Sequence, residues 1–281
     1  MSLKSIGREL LPPLLARQIR AFRRQYGCLG DYPSWEAAAA QCSGYAHGAI
    51  LARVRDAALK VKAGAAAYER DSVLYQEVEH SWPLLAALMH VAAVNGGVLR
   101  VVDFGRSLGT SYIQNRRFLQ GLSQVKWCVV EQEHFVRCGK EHFEDEALRF
   151  YSSIDESAAA EQPDIILFSS VLQYLPNPYE QLRNAIRKGF PYILIDRTGF
   201  SLDGCARITV QKVNPAIYPA AYPCHFFARP EFCATFQGSY ELLAEFPAIG
   251  PSADSAEFRG FLYRKTREHS EGSERSDSRS V

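Results

Sequence analysis

Short, almost continuously apolar runs alternate with stretches of helical periodicity between Leu99 and about Arg264. The runs are VLRVVDF, VKWCVVE, ALRFYS, DIILFSS and YILIDR, and after a helix that begins near Pro230 they continue with SYELLAEF and FRGFLYRK. Runs of this kind are typical of parallel strands, because helices cover both faces of such a sheet. The alternation therefore predicts an α/β fold with a mostly parallel sheet.

The first 95 residues have few strand signals, and we predict that they form a helical region. SWEAAAAQC begins with a serine that can cap a helix, while AILARVRDAALKVKAG and SWPLLAALMHVAAVNGG both end at glycines. We expect residues 1–95 to pack over the ligand face of a domain that spans residues 96–265. The alternative is an N-terminal domain that folds independently. The polar stretch 266–281 is expected to be disordered.

Composition argues against several classes of partner. The chain has 281 residues with 32 basic against 31 acidic side chains, whereas nucleic-acid binding requires a clear basic excess. No apolar stretch approaches the roughly 20 residues of a transmembrane helix, and no secretory signal is visible. The seven cysteines include no C-x-x-C pair, so we expect reduced, mostly buried thiols, no metal site and a cytoplasmic protein.

Residues 1–30 carry an excess of basic side chains. Apolar residues recur at helical spacing in the same segment and would share one face of a helix: Leu14, Leu15, Ile19 and Phe22. A basic amphipathic helix of this kind can lie on an anionic membrane surface as a peripheral contact. The alternative is a helix that packs on its own domain and exposes its charged face to solvent.

A glycine-containing loop follows the first strand of the α/β region and precedes a helix. The sequence VVDFGRSLGTSYIQNR places Asp103, Gly105 and Gly109 at the spacing D-x-G-x-x-x-G. Glycine lets the backbone approach a ligand that a Cβ atom would push away, and open α/β sheets bind ligands at the carboxyl ends of their strands. The second strand ends in Glu131, whose carboxylate can accept hydrogen bonds from both hydroxyls of a ribose.

Two ligand classes fit such a loop, a dinucleotide and S-adenosylmethionine. Dinucleotide loops use G-x-G-x-x-G and place a pyrophosphate at the helix N-terminus, but this loop reads GRSLG, with Asp103 two residues before its first glycine. A carboxylate at that position disfavours a pyrophosphate and suits the ammonium and sulfonium charges of S-adenosylmethionine. The methyl donor is therefore favoured, and an NAD-dependent oxidoreductase remains an alternative.

The chain resembles a family of class I S-adenosylmethionine-dependent methyltransferases often encoded in surface-polysaccharide (O-antigen) gene clusters. Five ordered motifs carry the resemblance: DFGRSLGTSYIQNR, WCVVEQEHF, FSSVLQYLPNPYE, LIDRTGFS and VQKVNPAIYPAAYP. The stretches YGCLGDYPSWEAA, YERDSVLY and SWPLL extend it over roughly residues 10–265. The resemblance implies a Rossmann-like, seven-stranded sheet with a late antiparallel strand, and S-adenosylmethionine as the methyl donor. It does not supply the acceptor.

One position departs from the pattern of the wider superfamily. Ser107 stands where D-x-G-x-G-x-G would place its middle glycine. A non-catalytic S-adenosylmethionine-binding protein with a degenerate methyltransferase fold is therefore a further alternative.

The candidate cofactor-binding residues lie in the loop and at the ends of the following strands. They are Asp103, Gly105, Ser107, Gly109, Glu131, Gln132, Ser152, Ser169 and Ser170. We assign Asp103 and the two glycines to the methionine end of the donor, Glu131 to the ribose, and Ser152 to the adenine edge. The alternatives are a structural strand-to-helix turn, a solvated strand end, and serines that serve as loop residues or helix N-caps.

Candidate catalytic residues lie at and after the end of the fifth strand. A hydroxyl acceptor needs a general base, whereas a carboxylate or a free amine does not. The candidates are His225, whose ordinary pKa suits a base near neutral pH, together with Asp196 and Tyr222. The alternatives are a histidine packed in the core and a structural salt bridge between Asp196 and Arg197.

The segment 198–229 is far longer than the 2–6 residues usual for a strand-to-helix loop. It leaves the fifth strand at the ligand edge of the sheet, so we assign it to the acceptor. Its tyrosines offer flat apolar faces with a polar tip, which suit a sugar or another ring, and we expect a small-molecule or glycan acceptor. The alternative is an extra hairpin that only covers an edge of the sheet.

Overall fold

The structure is a computed structural model that describes residues 26–42, 47–70, 72–215, 220–250 and 255–266. The predicted basic helix lies outside the described residues up to position 25. The tail that we predict to be disordered also lies outside them, apart from Thr266.

The predicted helices that fall within the described part of the N-terminal region are present. The described elements of this region are β1 (Gly27–Tyr32), α1 (Trp35–Ala39), α2 (His47–Lys62), β2 (Tyr68–Arg70), β3 (Val73–Tyr75) and α3 (Trp82–Val94). Ser34 caps α1 as predicted, because its hydroxyl accepts a hydrogen bond from Ala37 N at 3.2 Å. Asn95 and the two glycines after it end α3, also as predicted.

The predicted alternation of strands and helices continues through the rest of the chain. Its elements are β4 (Val98–Phe104), α4 (Thr110–Leu119), β5 (Gln124–Val130), α5 (Glu133–His142), β6 (Leu148–Tyr151), α6 (Ile154–Glu161), β7 (Ile165–Ser169), a 3-10 helix (Leu172–Tyr174), α7 (Pro178–Lys188), β8 (Tyr192–Ser201), β9 (Arg207–Lys212), β10 (Ala221–Phe226), α8 (Arg229–Ala234), β11 (Tyr240–Pro247) and β12 (Ala256–Lys265). All seven apolar runs that we singled out form strands, and the helix near Pro230 is α8.

The central sheet has seven strands in the order β11-β12-β8-β7-β4-β5-β6. The pairs from β8 through β7, β4 and β5 to β6 are parallel, whereas β12 is antiparallel to both β8 and β11. Six strands therefore run in one direction and β12 runs in the other. This confirms the predicted fold class, a Rossmann-like, mostly parallel seven-stranded sheet with a late antiparallel strand.

The described part of the N-terminal region also contains three strands, which the sequence pattern does not predict. Strand β1 pairs antiparallel with β9, with Cys28 opposite Gln211 and Leu29 opposite Val210, while β2 and β3 form a hairpin. The run GCLGDY has no period-2 apolar alternation, and its partner strand lies far away in the sequence. Local pattern therefore carries no signal for β1.

The described residues of the segment 198–229 adopt a conformation that the sequence left open. Its first residues extend β8 to Ser201, and β9 and β10 then form an antiparallel hairpin that carries β1 on its far side. The described residues of the segment therefore include an extra hairpin, as the alternative interpretation states. The hairpin pairs with an N-terminal strand, however, and lies outside the central seven-stranded sheet.

Alternate residues of β4 pack into two different hydrophobic clusters. Val101 packs in one cluster with Leu88 of α3 and Trp127 of β5, whereas Val102 packs in the other with Phe168 of β7. Because α3 contributes to the first cluster, the end of the N-terminal region shares a core with the sheet. Both faces of the parallel strands are thus covered, as the apolar runs predict.

Replacement of Leu88 by alanine tests whether α3 is part of the domain core. Leu88 is fully buried, and we expect the cavity to lower the free energy of unfolding by about 2–5 kcal/mol. Denaturant unfolding should still show one transition. Val94, which is 60% exposed on the same helix, provides the control as Val94→Ala. A separate early transition in Leu88→Ala would instead indicate an independently folding N-terminal domain.

Candidate functional site

The carboxyl ends of the parallel strands bring most of the predicted site residues to one edge of the sheet. Ser169 at the end of β7 lies opposite Asp196 in β8, and Asp103 of β4 lies opposite Leu167 of β7. Glu131 directly follows β5. Asp196 and the residues that we predict to bind the donor therefore lie at one edge of the sheet. Open α/β sheets bind ligands at this edge.

The loop between β4 and α4 turns through backbone conformations that glycine favours. Gly105, Ser107 and Gly109 all have positive φ, at 69°, 57° and 85°. A Cβ atom on Gly105 would lie 2.4 Å from Val171 Cγ2, so a side chain is excluded there. Ser107 adopts the same left-handed region at a cost of roughly 1–2 kcal/mol. The loop therefore keeps a glycine-type turn even where the sequence departs from glycine.

Glu131 joins the loop to the end of β5. Its Oε1 accepts a hydrogen bond from Ser107 N at 3.0 Å, and its Oε2 accepts one from Gln132 N at 2.9 Å. Burial raises the pKa of this carboxyl, and the two backbone donors partly oppose the rise. Each carboxylate oxygen can accept a second hydrogen bond, so Glu131 retains capacity for ligand hydroxyls. Gln132 is exposed and begins α5 as its N-cap residue.

Asp103 lies beneath the loop in the core of the protein. Its side chain is fully buried, and Oδ2 accepts a hydrogen bond from Trp127 Nε1 at 3.0 Å. Among the described residues Oδ1 has no hydrogen-bond partner. Burial raises the pKa of Asp103 from 3.8 to about 7, opposed mainly by the positive charge of Arg106. The carboxylate that we assigned to the donor is therefore turned towards the core.

Asp196 and Ser169 form a buried pair at the ends of β8 and β7. Ser169 Oγ donates a hydrogen bond to Asp196 Oδ2 at 2.9 Å, and Asp196 Oδ1 is buried without a hydrogen-bond partner in the described part of the chain. Burial raises the pKa of Asp196, whereas the neighbouring charges of Arg197 and Arg106 lower it. The positive charge of Arg197 therefore favours the ionised form of Asp196.

The backbone is strained next to this pair. Ser170 and Arg197 both have positive φ, at 55° and 52°, and Ser170 N donates to Asp196 O at 3.0 Å. Gln173 is buried and donates from Nε2 to Arg197 O at 3.1 Å. Left-handed conformations of residues other than glycine cost free energy and cluster at functional sites. Their occurrence at one edge, in β8 and directly after β7, makes this edge a candidate site.

Ser152 and Ser153 belong to the start of α6. Ser153 Oγ accepts a hydrogen bond from Glu156 N, and the Glu156 carboxylate accepts one from Ser152 N at 3.0 Å. This arrangement resembles a capping box, which satisfies backbone donors in the first turn of a helix. Ser152 Oγ also donates to Glu133 at 2.8 Å. Both serines thus have partners within the start of α6 and α5, and Ser152 is exposed near the end of β6.

His225, in β10, lies between two aromatic rings. Its imidazole stacks on Trp35 at 4.9 Å and on Phe227 at 5.7 Å between ring centroids, both at 18°. Its Nε2 lies 3.1 Å from Leu175 O, and since a carbonyl only accepts, Nε2 carries the proton. Nδ1 is then the nitrogen with a lone pair. Burial lowers the pKa of His225, which favours the neutral ring near pH 7.

Tyr222 lies on the same hairpin as His225 and makes an aromatic contact of its own. Its ring meets Tyr174 edge to face at 5.2 Å, and Tyr174 donates its hydroxyl hydrogen to Gln211 at 2.8 Å. Asp196 is bonded to Ser169 while His225 is bonded to Leu175. The predicted catalytic groups therefore have separate partners and form no hydrogen-bonded dyad of Asp196 with His225.

Two residues of the site were not named from the sequence. Trp35 stacks on His225, and Glu69 is buried beside α4, where its carboxylate accepts a hydrogen bond from the Thr110 hydroxyl. The stretch YERDSVLY, which contains Glu69, mixes aromatic, acidic and apolar residues within the resemblance. A buried charge in such a stretch is the signal that could have identified Glu69.

Two negative findings apply to the described residues alone. In that part of the chain no group of three or more histidine, cysteine, aspartate or glutamate side chains could hold a metal ion. No helix there is long and apolar enough to cross a membrane. The cysteines are free, with three buried, three half-buried and Cys205 exposed, so fewer are buried than we predict.

Comparisons with known proteins give structural matches. No protein-family model matches the chain, and no curated protein does. The N-terminal domain of EvdMO1, solved in the presence of S-adenosylhomocysteine and D-fucose, matches with a TM-score of 0.47 and 16% identity over 79% of this chain and 98% of that chain. A SAM-dependent methyltransferase from Methanosarcina mazei matches with a TM-score of 0.44 and 11% identity over 63% and 97%.

A third solved structure is the N-methyltransferase NodS from Bradyrhizobium japonicum in complex with S-adenosylhomocysteine. It matches with a TM-score of 0.41 and 12% identity over 66% of this chain and 87% of that chain. At such identities the similarity concerns the fold alone.

Substitution of Asp103 by asparagine should change how stability depends on pH. The unfolded carboxyl ionises near 3.8 and the folded one at about 7, so the wild-type protein loses stability as pH rises from about 4 to 7. The shift of about 3 pH units corresponds to at most about 4 kcal/mol. Asp103→Asn removes this loss. Its free energy of unfolding, relative to that of the wild type, should therefore rise by up to that amount between pH 4 and pH 8.

Urea unfolding at several pH values measures the difference between Asp103→Asn and the wild type. Asp56 is exposed on α2, and Asp56→Asn is the matched control. A difference that stays constant from pH 4 to pH 8 would contradict the burial of an ionisable Asp103.

Proposed function

We propose that the chain is an S-adenosylmethionine-dependent methyltransferase of class I. The observation that carries the proposal is the loop after β4, whose left-handed turn is hydrogen-bonded through Ser107 N to Glu131 at the end of the next strand. A turn of this shape brings backbone N–H groups to the ligand edge of the sheet, and the adjoining carboxylate can accept hydrogen bonds from a diol.

The residues present fit this donor. Glu131 keeps acceptor capacity for the ribose hydroxyls. Asp196 has one buried carboxylate oxygen without a hydrogen-bond partner among the described residues, and a carboxylate at this edge favours a cationic ligand over a pyrophosphate. When bound, S-adenosylmethionine supplies a methyl group made reactive by its sulfonium. The remaining task of the protein is to position the acceptor and remove its proton.

His225 is our proposed general base. Tyr222 and Asp196 complete the proposed catalytic set. The Leu175 carbonyl holds the proton on Nε2, so Nδ1 is the atom that can accept a proton from an acceptor hydroxyl. The rings of Trp35 and Phe227 fix the plane of the imidazole. Burial lowers the pKa of His225 and so keeps it neutral and ready to act as a base at physiological pH.

The proposed acceptor is a sugar, a polysaccharide precursor or another small metabolite with a ring. Tyr174, Tyr222 and Trp35 place aromatic rings around the β9–β10 hairpin, and aromatic faces stack on apolar faces of rings. The choice of a polysaccharide precursor rests on the sequence resemblance, and the proposed cytoplasmic location rests on the cysteine pattern. Peripheral membrane contact through the basic N-terminal segment remains part of the same proposal.

The two alternatives differ from the proposal in what they would bind. An NAD-dependent oxidoreductase would need the loop to hold a pyrophosphate. A non-catalytic protein of degenerate fold would bind the donor without turning over an acceptor. Ser107, which stands at the middle-glycine position, is the observation that favours the degenerate alternative.

Calorimetry with S-adenosylhomocysteine and with NAD tests the proposal. Glu131→Ala removes one or two charge-assisted hydrogen bonds of about 1.5–3 kcal/mol each, so the affinity for S-adenosylhomocysteine should fall about tenfold or more. Glu141 is exposed on α5, and Glu141→Gln is the matched control with unchanged affinity. Tight NAD binding without any binding of S-adenosylhomocysteine would refute the proposal.

Replacement of His225 by alanine separates acceptor chemistry from donor binding. We expect turnover to be abolished and the affinity for S-adenosylhomocysteine to stay within about twofold, and Tyr222→Ala should behave alike. Consumption of the donor with an extract of the cell's glycans and small metabolites, followed by mass detection of the methylated product, measures turnover. In the wild type the rate should rise with pH through a pKa below 6.5, because only the neutral imidazole accepts a proton.

His90, which is exposed on α3, supplies the control His90→Ala with normal turnover. Equal losses of donor affinity and of thermal stability in both His225→Ala and Tyr222→Ala would mark the hairpin as scaffold.

A further inference from the structure

We propose that Arg106 and Asp196 together bind the zwitterionic amino-acid end of the donor. The guanidinium group of Arg106 binds the α-carboxylate, and the carboxylate of Asp196 binds the α-ammonium group. The proposal rests on the proposed function and adds to it the residues that recognise one end of the donor.

Arg106 lies in the loop after β4, directly after Gly105, and is half-buried. Its Nε donates a hydrogen bond to Ser111 Oγ at 3.0 Å, in the first turn of α4. In the part of the chain that the structure describes, its two Nη groups have no hydrogen-bond or ion-pair partner. The bond at Nε therefore holds the guanidinium group at the loop, while both Nη groups are available to a ligand. Two Nη groups of one guanidinium can bind a carboxylate through two parallel hydrogen bonds.

Asp196 supplies the opposite charge from β8. Its Oδ2 accepts the hydrogen bond of Ser169 Oγ, whereas Oδ1 is buried and has no hydrogen-bond partner among the residues that the structure describes. A buried acceptor without a partner costs free energy, which a hydrogen-bond donor of a ligand would recover. The next residue, Arg197, has a left-handed backbone with φ at 52°, and strain of this kind clusters at functional sites. Two separate observations on β8 thus point to a ligand group that donates hydrogen bonds.

The charges of Arg106 and Asp196 lie at the same edge without direct contact. Burial raises the pKa of Asp196, and the positive charge of Arg106 is among the charges that oppose the rise. The two side chains do not form an ion pair with each other, because Arg106 is bonded to Ser111 and Asp196 to Ser169. A cation and an anion that are close but separate match the two opposite charges of an α-amino acid group.

The order of the strands gives the bound donor a direction. Glu131, to which we assign the ribose, follows β5, and the order β8-β7-β4-β5 places it roughly 14 Å from Asp196 across the sheet. The loop that carries Arg106 follows β4 and lies between them. The chain of the donor between its ribose and its α-carbon, with a hydrogen bond at each end, spans a similar distance. A donor that starts at Glu131 and extends across β4 would therefore bring its amino-acid end to Arg106 and Asp196.

A purely structural role for Arg106 makes a different prediction. Its charge favours the ionised forms of Asp103 and Asp196, and its bond to Ser111 ties the loop to α4, whatever the ligand. In that case the loss of Arg106 would displace the loop and weaken every ligand there alike. Recognition of the amino-acid end weakens only the ligands that carry this end.

The test compares S-adenosylhomocysteine with 5′-methylthioadenosine, which lacks the amino-acid end, by calorimetry. Arg106→Gln removes the guanidinium charge but keeps an N–H donor at the position of Nε, where it can still bind Ser111. We expect its affinity for S-adenosylhomocysteine to fall about tenfold or more while its affinity for 5′-methylthioadenosine stays within about twofold. Arg117 is exposed on α4, and Arg117→Gln is the control with both affinities unchanged.

A second measurement assigns each charge of the ligand to its partner. Analogues of S-adenosylhomocysteine that lack either the α-carboxylate or the α-amino group should each bind the wild type about tenfold or more weakly than S-adenosylhomocysteine does. Arg106→Gln should no longer distinguish S-adenosylhomocysteine from the analogue without the carboxylate. Asp196→Asn, which keeps an oxygen that can accept from Ser169, should no longer distinguish it from the analogue without the amino group.

The inference is overturned if the wild type binds either analogue as tightly as S-adenosylhomocysteine. It is also overturned if Arg106→Gln loses affinity for S-adenosylhomocysteine and 5′-methylthioadenosine in parallel. A wild type that binds neither of these two ligands would refute the proposed function itself, which distinguishes the two failures.

Discussion

The hydrogen bond between Ser107 N and the Glu131 carboxylate is the contact on which the site depends. It ties the turn after β4 to the end of β5, and Gly105 N, bonded to Val130 O at 2.9 Å, joins the same two segments a second time. The left-handed backbone at Gly105, Ser107 and Gly109 is strained for serine, and these two bonds hold it in place. The shape of the loop is therefore set before any ligand arrives.

Burial and charge act against each other along this edge. Asp103 and Asp196 both have raised pKa values because burial disfavours their charged forms, and the positive charge of Arg106 opposes the rise in each. A cationic ligand at the same edge would add a further positive charge and favour ionisation of both groups. Binding of such a ligand is then linked to the release of protons, an electrostatic coupling that a neutral or anionic ligand would lack.

The sequence predicted the parts of the fold that depend on local pattern. Apolar runs identified the strands because both faces of a parallel sheet are buried, and Ser34 identified the start of α1 because a serine hydroxyl caps backbone donors. Strand β1 could not be predicted, since its pairing with β9 joins residues about 180 positions apart. The inward orientation of Asp103 could not be predicted either, because it depends on the hydrogen bond from Trp127 on the neighbouring strand β5.

The pairing of β1 with β9 has a consequence for how the chain folds. The β1 strand is among the first described segments to leave the ribosome, yet its partner comes after most of the central sheet has been made. Trp35, next to β1, can therefore contact His225 only late in synthesis. The pairing of β4 with β5 and the loop between β4 and α4 can form earlier, because these segments are neighbours in the chain. The wall around His225 can therefore assemble only after β10 has been made, and until then the apolar residues of β1 lack their native partner strand.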